Sequence, residues 1–226
     1  MGMHFALAAI RTSVDEFREA FTDTWADFEV VASENRFSDK DAVWAWTKEN
    51  EQFVSAADWT QDNPGTQTCV LAQDGPWALL MDPSFALATD EDALLELSER
   101  FGTVLSFAVQ TTGGCALFWC YENGLLRRMI SMADGPTETE GTPLPEEEGI
   151  DVDHYYMDET EALMRAFGLS PIEDFPDTAS AVALAVADRT DYDELEAKTG
   201  DAGSSINVQN PDPGPIEKPK PWWKFW

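Results

Sequence analysis

Positive charge is what this chain has least of. Its 226 residues carry 14 lysines and arginines against 43 aspartates and glutamates, a formal net charge of −29. Nucleic-acid binding needs Lys and Arg to displace counterions, so this balance argues against it. Anionic lipid is repelled for the same reason. A basic protein is attracted, and its encounter is accelerated. The same acidity also serves solubility alone, and composition does not separate the two uses.

Histidine is nearly as scarce: only His4 and His154 occur. The commonest general base near neutral pH is therefore almost missing. Three cysteines, Cys69, Cys115 and Cys120, are too few and odd in number for a disulfide framework. On a strand, the spacing of five between Cys115 and Cys120 points them to opposite faces, which argues against a shared metal. No run approaches the ~18 apolar residues that a membrane span needs. The apolar stretch Phe5 to Ile10 is too short for a secretory signal, and Ala6 stands where a myristoylation motif needs Ser or Thr. These absences point to a cytoplasmic protein.

Reaction motifs are missing as well. There is no Gly-x-Ser-x-Gly elbow, no Walker loop and no dinucleotide fingerprint, so no cofactor is expected. His4 opens an apolar strand and reads as structural. His154 sits among Asp151, Asp153 and Asp158, which raise its pKa by favouring the charged form. The spacing matches no metal cage, and Tyr156 stands where a calcium loop of the EF-hand kind needs glycine. This segment reads as a solvated acidic face, with no metal expected.

What is present is a core. Hydrophobic residues make up 43% and aromatic residues 12%, which excludes wholesale disorder. Ser13 and Glu16 form a capping-box pattern, followed by Val14, Phe17, Phe21 and Trp25 at helical spacing. Thr68–Ala72 and Trp77–Met81 read as a hairpin closed by Asp82-Pro83. Thr89 or Asp90 caps a helix that Gly102 ends. The runs 103–110, 115–121 and 125–132 form a meander with turns at Gly113-Gly114 and Asn123-Gly124. Residues 134–153 read as an acidic loop, 158–167 as a short helix, and 179–187 as a last strand. Trp44 and Trp46 share a face if their segment is a strand. With Trp25, Trp59, Trp77 and Trp119 they read as core, a partner-binding aromatic surface being the alternative. Arg127 and Arg128 are adjacent on a strand, so only one faces a given side; both read as internal charge balance.

Several of these features occur together: a Trp strand ending in Asp-Pro (77–83), Leu97-Ser98 in a helix, a hairpin leading to Arg127-Arg128, and the acidic loop Gly141 to Gly149 before a helix ending Phe167-Gly168. In this the chain resembles uncharacterised small bacterial α+β proteins of the kind found in conflict and immunity neighbourhoods. The resemblance covers about residues 70–170 and carries no catalytic residues. No function is carried over from it; the acidic body itself suggests engagement of a basic partner in the manner of an inhibitor or immunity protein.

The last six residues differ from everything before them. Beyond a linker rich in Pro and Gly, Trp222, Trp223, Phe225 and Trp226 surround Lys224. From residue 199 on, Asp201, Asp212 and Glu217 balance Lys218, Lys220 and Lys224, so the whole −29 lies on residues 1–198. A tip of this kind docks on a partner, touches a membrane interface weakly, or folds back on its own body. Trp222, Trp223, Lys224, Phe225 and Trp226 are the candidate partner-binding residues.

The expected architecture is α+β. An acidic domain (1–198) holds an antiparallel sheet of five to seven strands with two or three helices on one face, and a flexible tail (199–226) follows. The expected function is non-catalytic binding of a basic protein partner. The alternatives are an adaptor recruited through its aromatic tip to a membrane or complex, and an enzyme whose site the sequence hides.

Overall fold

The N-terminal strand does not lie at an edge but in the middle of the sheet. The computed structural model describes residues 4–26, 28–37, 40–49, 66–133, 135–171 and 181–188. The tail and Trp59 lie outside the described residues, as do the side chains of His4 and Trp44. All described residues belong to one compact unit that ends at Asp188.

In chain order the elements are β1 (His4–Ile10), α1 (Val14–Thr24), β2 (Phe28–Ala32), α2 (Lys40–Glu49), β3 (Thr66–Asp74), β4 (Trp77–Met81) and α3 (Glu91–Phe101). There follow β5 (Thr103–Gln110), β6 (Cys115–Glu122), β7 (Leu125–Ala133), β8 (Glu138–Gly141), α4 (Met157–Ala166) and β9 (Val182–Asp188). The strands form one sheet of nine in the order β2-β9-β3-β4-β1-β5-β6-β7-β8. Every pairing among them is antiparallel. The α+β class holds, while nine strands exceed the five to seven expected. One of the additional strands, β8, comes from the stretch read as loop, where Glu138 to Gly141 pair with Ser131 to Arg128.

The helices also correct the expectation, because they cover both faces. Ala6, Ala8 and Ile10 of β1 face Phe17 and Phe21 of α1 and Leu94 and Leu97 of α3. Phe5, Leu7 and Ala9 point the other way, into a cluster with Phe107, Phe118 and Leu163 and Met164 of α4. Val43 of α2 joins Val70, Ala72 and Ala183 on this second side. The cause is visible in β1 and β5: residues 5–10 and 104–109 are all buried, and a strand apolar on both faces needs cover on both.

The terminal groups of the helices explain their boundaries. Ser13 accepts the Glu16 amide and Glu16 returns the bond, completing the capping box. Asp90 caps α3 through the Ala93 amide, and Gly102 at φ +88° ends it. Residues 40–49 form a helix and not the strand on which Trp44 and Trp46 would share a face.

Candidate functional site

The sheet ends on one side in β8, all four of whose residues are exposed. From Gly135 to Glu161 the chain contains Glu138, Glu140, Glu146, Glu147, Glu148, Asp151, Asp153, Asp158, Glu159 and Glu161, and no lysine or arginine. Glu138, Glu140, Glu148, Asp151, Asp153 and Asp158 are exposed. The segment leaves β8, passes through single 3-10 turns at Pro145–Glu147 and Val152–His154, and enters α4. Charges on an edge strand prevent pairing with another copy of the same acidic chain. To a basic surface the same carboxylates are attractive.

One cation holds this ledge, and it does so from inside. Arg128 on β7 is 4% exposed and Glu147 is 7% exposed. They meet in a bidentate pair, Nε to Oε1 at 2.9 Å and Nη2 to Oε2 at 2.8 Å. Nη1 also donates to the carbonyls of Glu140 and Gly141, and Glu147 Oε1 accepts the Leu144 amide at 2.8 Å. The neighbouring Arg127 points outward and pairs with Glu122 at 3.0 Å. Adjacent arginines on opposite faces, both balancing charge, were legible from the sequence; Glu147 as the buried partner was not, because it is one carboxylate among many.

His154 is exposed, with Nδ1 2.9 Å from Asp151 Oδ2. The hydrogen bond to Asp151, then the charges of Asp151, Asp153 and Glu159, raise its pKa. Among the described residues no three His, Cys, Asp or Glu side chains gather to hold a metal. None of Cys69, Cys115 and Cys120 is in a disulfide. Burial and the adjacent Asp82 carboxylate push Cys69 well up, and burial followed by Glu122 and Glu146 pushes Cys120 up to about 12. Neither is a thiolate near neutral pH. Trp25 and Trp77 are core residues, with indole N–H groups donating to Asp90 and to the Phe167 carbonyl. Trp46 and Trp119 are half-buried. The tip residues Trp222, Trp223, Lys224, Phe225 and Trp226 lie outside the described residues.

Tyr155, where the acidic segment turns into α4, has a fully buried side chain whose hydroxyl has no well-formed hydrogen bond. Burial raises its pKa, partly offset by the nearby Thr160 hydroxyl. That hydroxyl donates to the Tyr156 carbonyl at 2.6 Å and keeps acceptor capacity, but the Tyr155 hydroxyl does not reach it in hydrogen-bonding geometry. Tyr155→Phe is expected to match or exceed wild-type stability, by up to ~1 kcal/mol, because it removes an unpaired buried polar group. Urea unfolding checks this; a loss of more than ~1 kcal/mol would show a bonded hydroxyl.

Comparison with known proteins adds no relative: no family model, curated protein or solved structure matches the chain. Among the described residues, no helix is long and apolar enough to cross a membrane.

Proposed function

We propose that this protein is a non-catalytic binding module, an acidic inhibitor or immunity-type protein whose body engages a basic protein partner. The observation that supports this most is the ledge of residues 135–161, ten carboxylates with no lysine or arginine among them. Among the described residues, only Glu147 and Glu161 have arginine partners there, Arg128 and Arg165. Uncompensated charge on a folded edge raises the local potential, which speeds encounter with a cationic surface and selects against acidic ones. The scarcity of histidine and the burial of the Cys69 and Cys120 thiols fit binding better than catalysis.

The test is capture of a partner at low and high salt by three forms: wild type, a chain ending at Lys198, and a variant with Glu138, Glu140, Glu148, Asp151 and Asp153 changed to Gln or Asn. The expected partner is basic and is kept by the shortened chain. Its association rate falls by about tenfold or more in the neutralised variant and in high salt. A partner that survives salt and neutralisation but is lost with residues 199–226 would refute this reading. It would make Trp222, Trp223, Lys224, Phe225 and Trp226 the site, and the protein an adaptor.

A further inference from the structure

We infer that residues 142–154 form a strap that opens as a unit, with the buried Arg128–Glu147 pair as its latch. The hydrogen bonds of the segment carry this. Its backbone donors at Glu147, Glu148, Ile150, Val152 and His154 all bond to carbonyls within the strap itself, and Tyr155 at its end donates back to Val152. The Leu144 amide bonds to the Glu147 carboxylate, again within the strap. Among the described residues, two hydrogen-bonded links tie it to the rest of the protein: Arg128 to Glu147, and the Thr137 hydroxyl to the Asp153 carbonyl at 3.1 Å. No strand ladder crosses from it to the sheet, since β8 ends at Gly141.

A loop that satisfies its own backbone loses few bonds on leaving, so it opens below the free energy of global unfolding. Against this stand the latch and three half-buried side chains, Leu144, Ile150 and Val152, packed over the cluster of Phe107, Phe118 and Ile130. The ion pair decides the balance. Removing Arg128 strands the Glu147 carboxylate in an apolar site, and the strap relieves that by carrying Glu147 into water. The sheet has no such incentive to move. Closed, the strap presents Glu148, Asp151 and Asp153 in a fixed array; open, it uncovers an aromatic face of the sheet.

Hydrogen exchange on the full chain tests this with Arg128→Met and with the double variant Arg128→Met/Glu147→Leu. In Arg128→Met the amides of Glu147, Glu148, Ile150, Val152 and His154 are expected to exchange about a hundredfold faster, with β5 and β6 amides unchanged. The double variant buries no stranded charge and is expected to recover protection. Equal acceleration across the strap, β5 and β6, or no acceleration in the strap, would overturn the latch. Should the single variant fail to fold, wild-type exchange in rising sub-denaturing urea decides. Strap amides opening separately from those of β5 and β6 support the unit, and a shared isotherm refutes it. None of these readouts depends on a partner, so the strap stands or falls apart from the binding proposal.

Discussion

Asp82→Ala is expected to destabilise the protein by at least ~3 kcal/mol. Asp82 follows β4 and is 1% exposed. Its Oδ1 accepts the Ser84 amide at 2.9 Å and the Ser84 hydroxyl at 2.5 Å. Its Oδ2 accepts the amides of Leu87 at 2.7 Å and Ala88 at 3.2 Å. One carboxylate thus replaces a ladder for the turn that joins β4 to α3. That turn bends through Phe85 at φ +66°, a left-handed conformation that costs a non-glycine residue ~1–3 kcal/mol unless its surroundings enforce it. Alanine removes the acceptor of the buried Leu87 and Ala88 amides and releases Phe85 and Leu87 from the core cluster on the α1 and α3 side. For a body of this size ~3 kcal/mol corresponds to a melting temperature lower by ~6–12 °C. A fall of under ~2 °C would mean that the turn holds itself, and Asp82 would then be incidental.

Asp82 also shows what was legible in the sequence. Asp82-Pro83 reads as the end of a strand, which is correct, yet nothing in the pattern says that the carboxylate turns inward. Local chemistry was readable wherever a residue acts on its near neighbours. Ser13 with Glu16, Asp90 with Gly102, and Asn123-Gly124 at φ +50° and +76° all do what their positions predict. Long-range pairing was not readable. β9 inserts between β2 and β3, and its partners lie more than a hundred residues earlier. The aromatic run of α2 imitates a strand, because Trp and Val favour strands by composition, while in the fold Val43 is a fully buried apolar anchor of a helix. β8 is polar throughout, so no alternation marks it. The two-sided helix cover was encoded in the apolar run of β1 and in that of β5, interrupted only by Ser106, and was missed by expecting one solvated face.

The site was legible in part. The acidic stretch before α4 stands out by composition, and the opposed directions of Arg127 and Arg128 follow from strand geometry. The choice of Glu147 from among ten carboxylates depends on where the chain turns back over the sheet, which only the fold decides.

That turning point yields the second large effect. Gly141→Ala is expected to cost at least ~2 kcal/mol and to detach β8 from β7, whereas Gly149→Ala costs only ~1 kcal/mol. Both glycines have positive φ, +82° and +83°, so the conformational penalty for alanine is shared. They differ in surroundings. A Cβ on Gly141 would sit 2.0 Å from the Arg127 carbonyl oxygen and 2.8 Å from its carbon, while a Cβ on Gly149 meets nothing within 4 Å. The obstacle at Gly141 is backbone, which no rotamer change relieves. The clash is resolved only by moving β8 away from β7, and Gly141 is the β8 residue paired with Arg128. The displaced strand takes with it the Glu140 and Gly141 carbonyls that accept from the Arg128 guanidinium, so the ion pair loses its lateral support as well. Urea unfolding of the two variants side by side subtracts the common penalty and isolates the collision. If the two alanine variants are equally stable, β8 lies further from β7 than its pairing implies, and the rigid edge on which the acidic ledge is built does not exist.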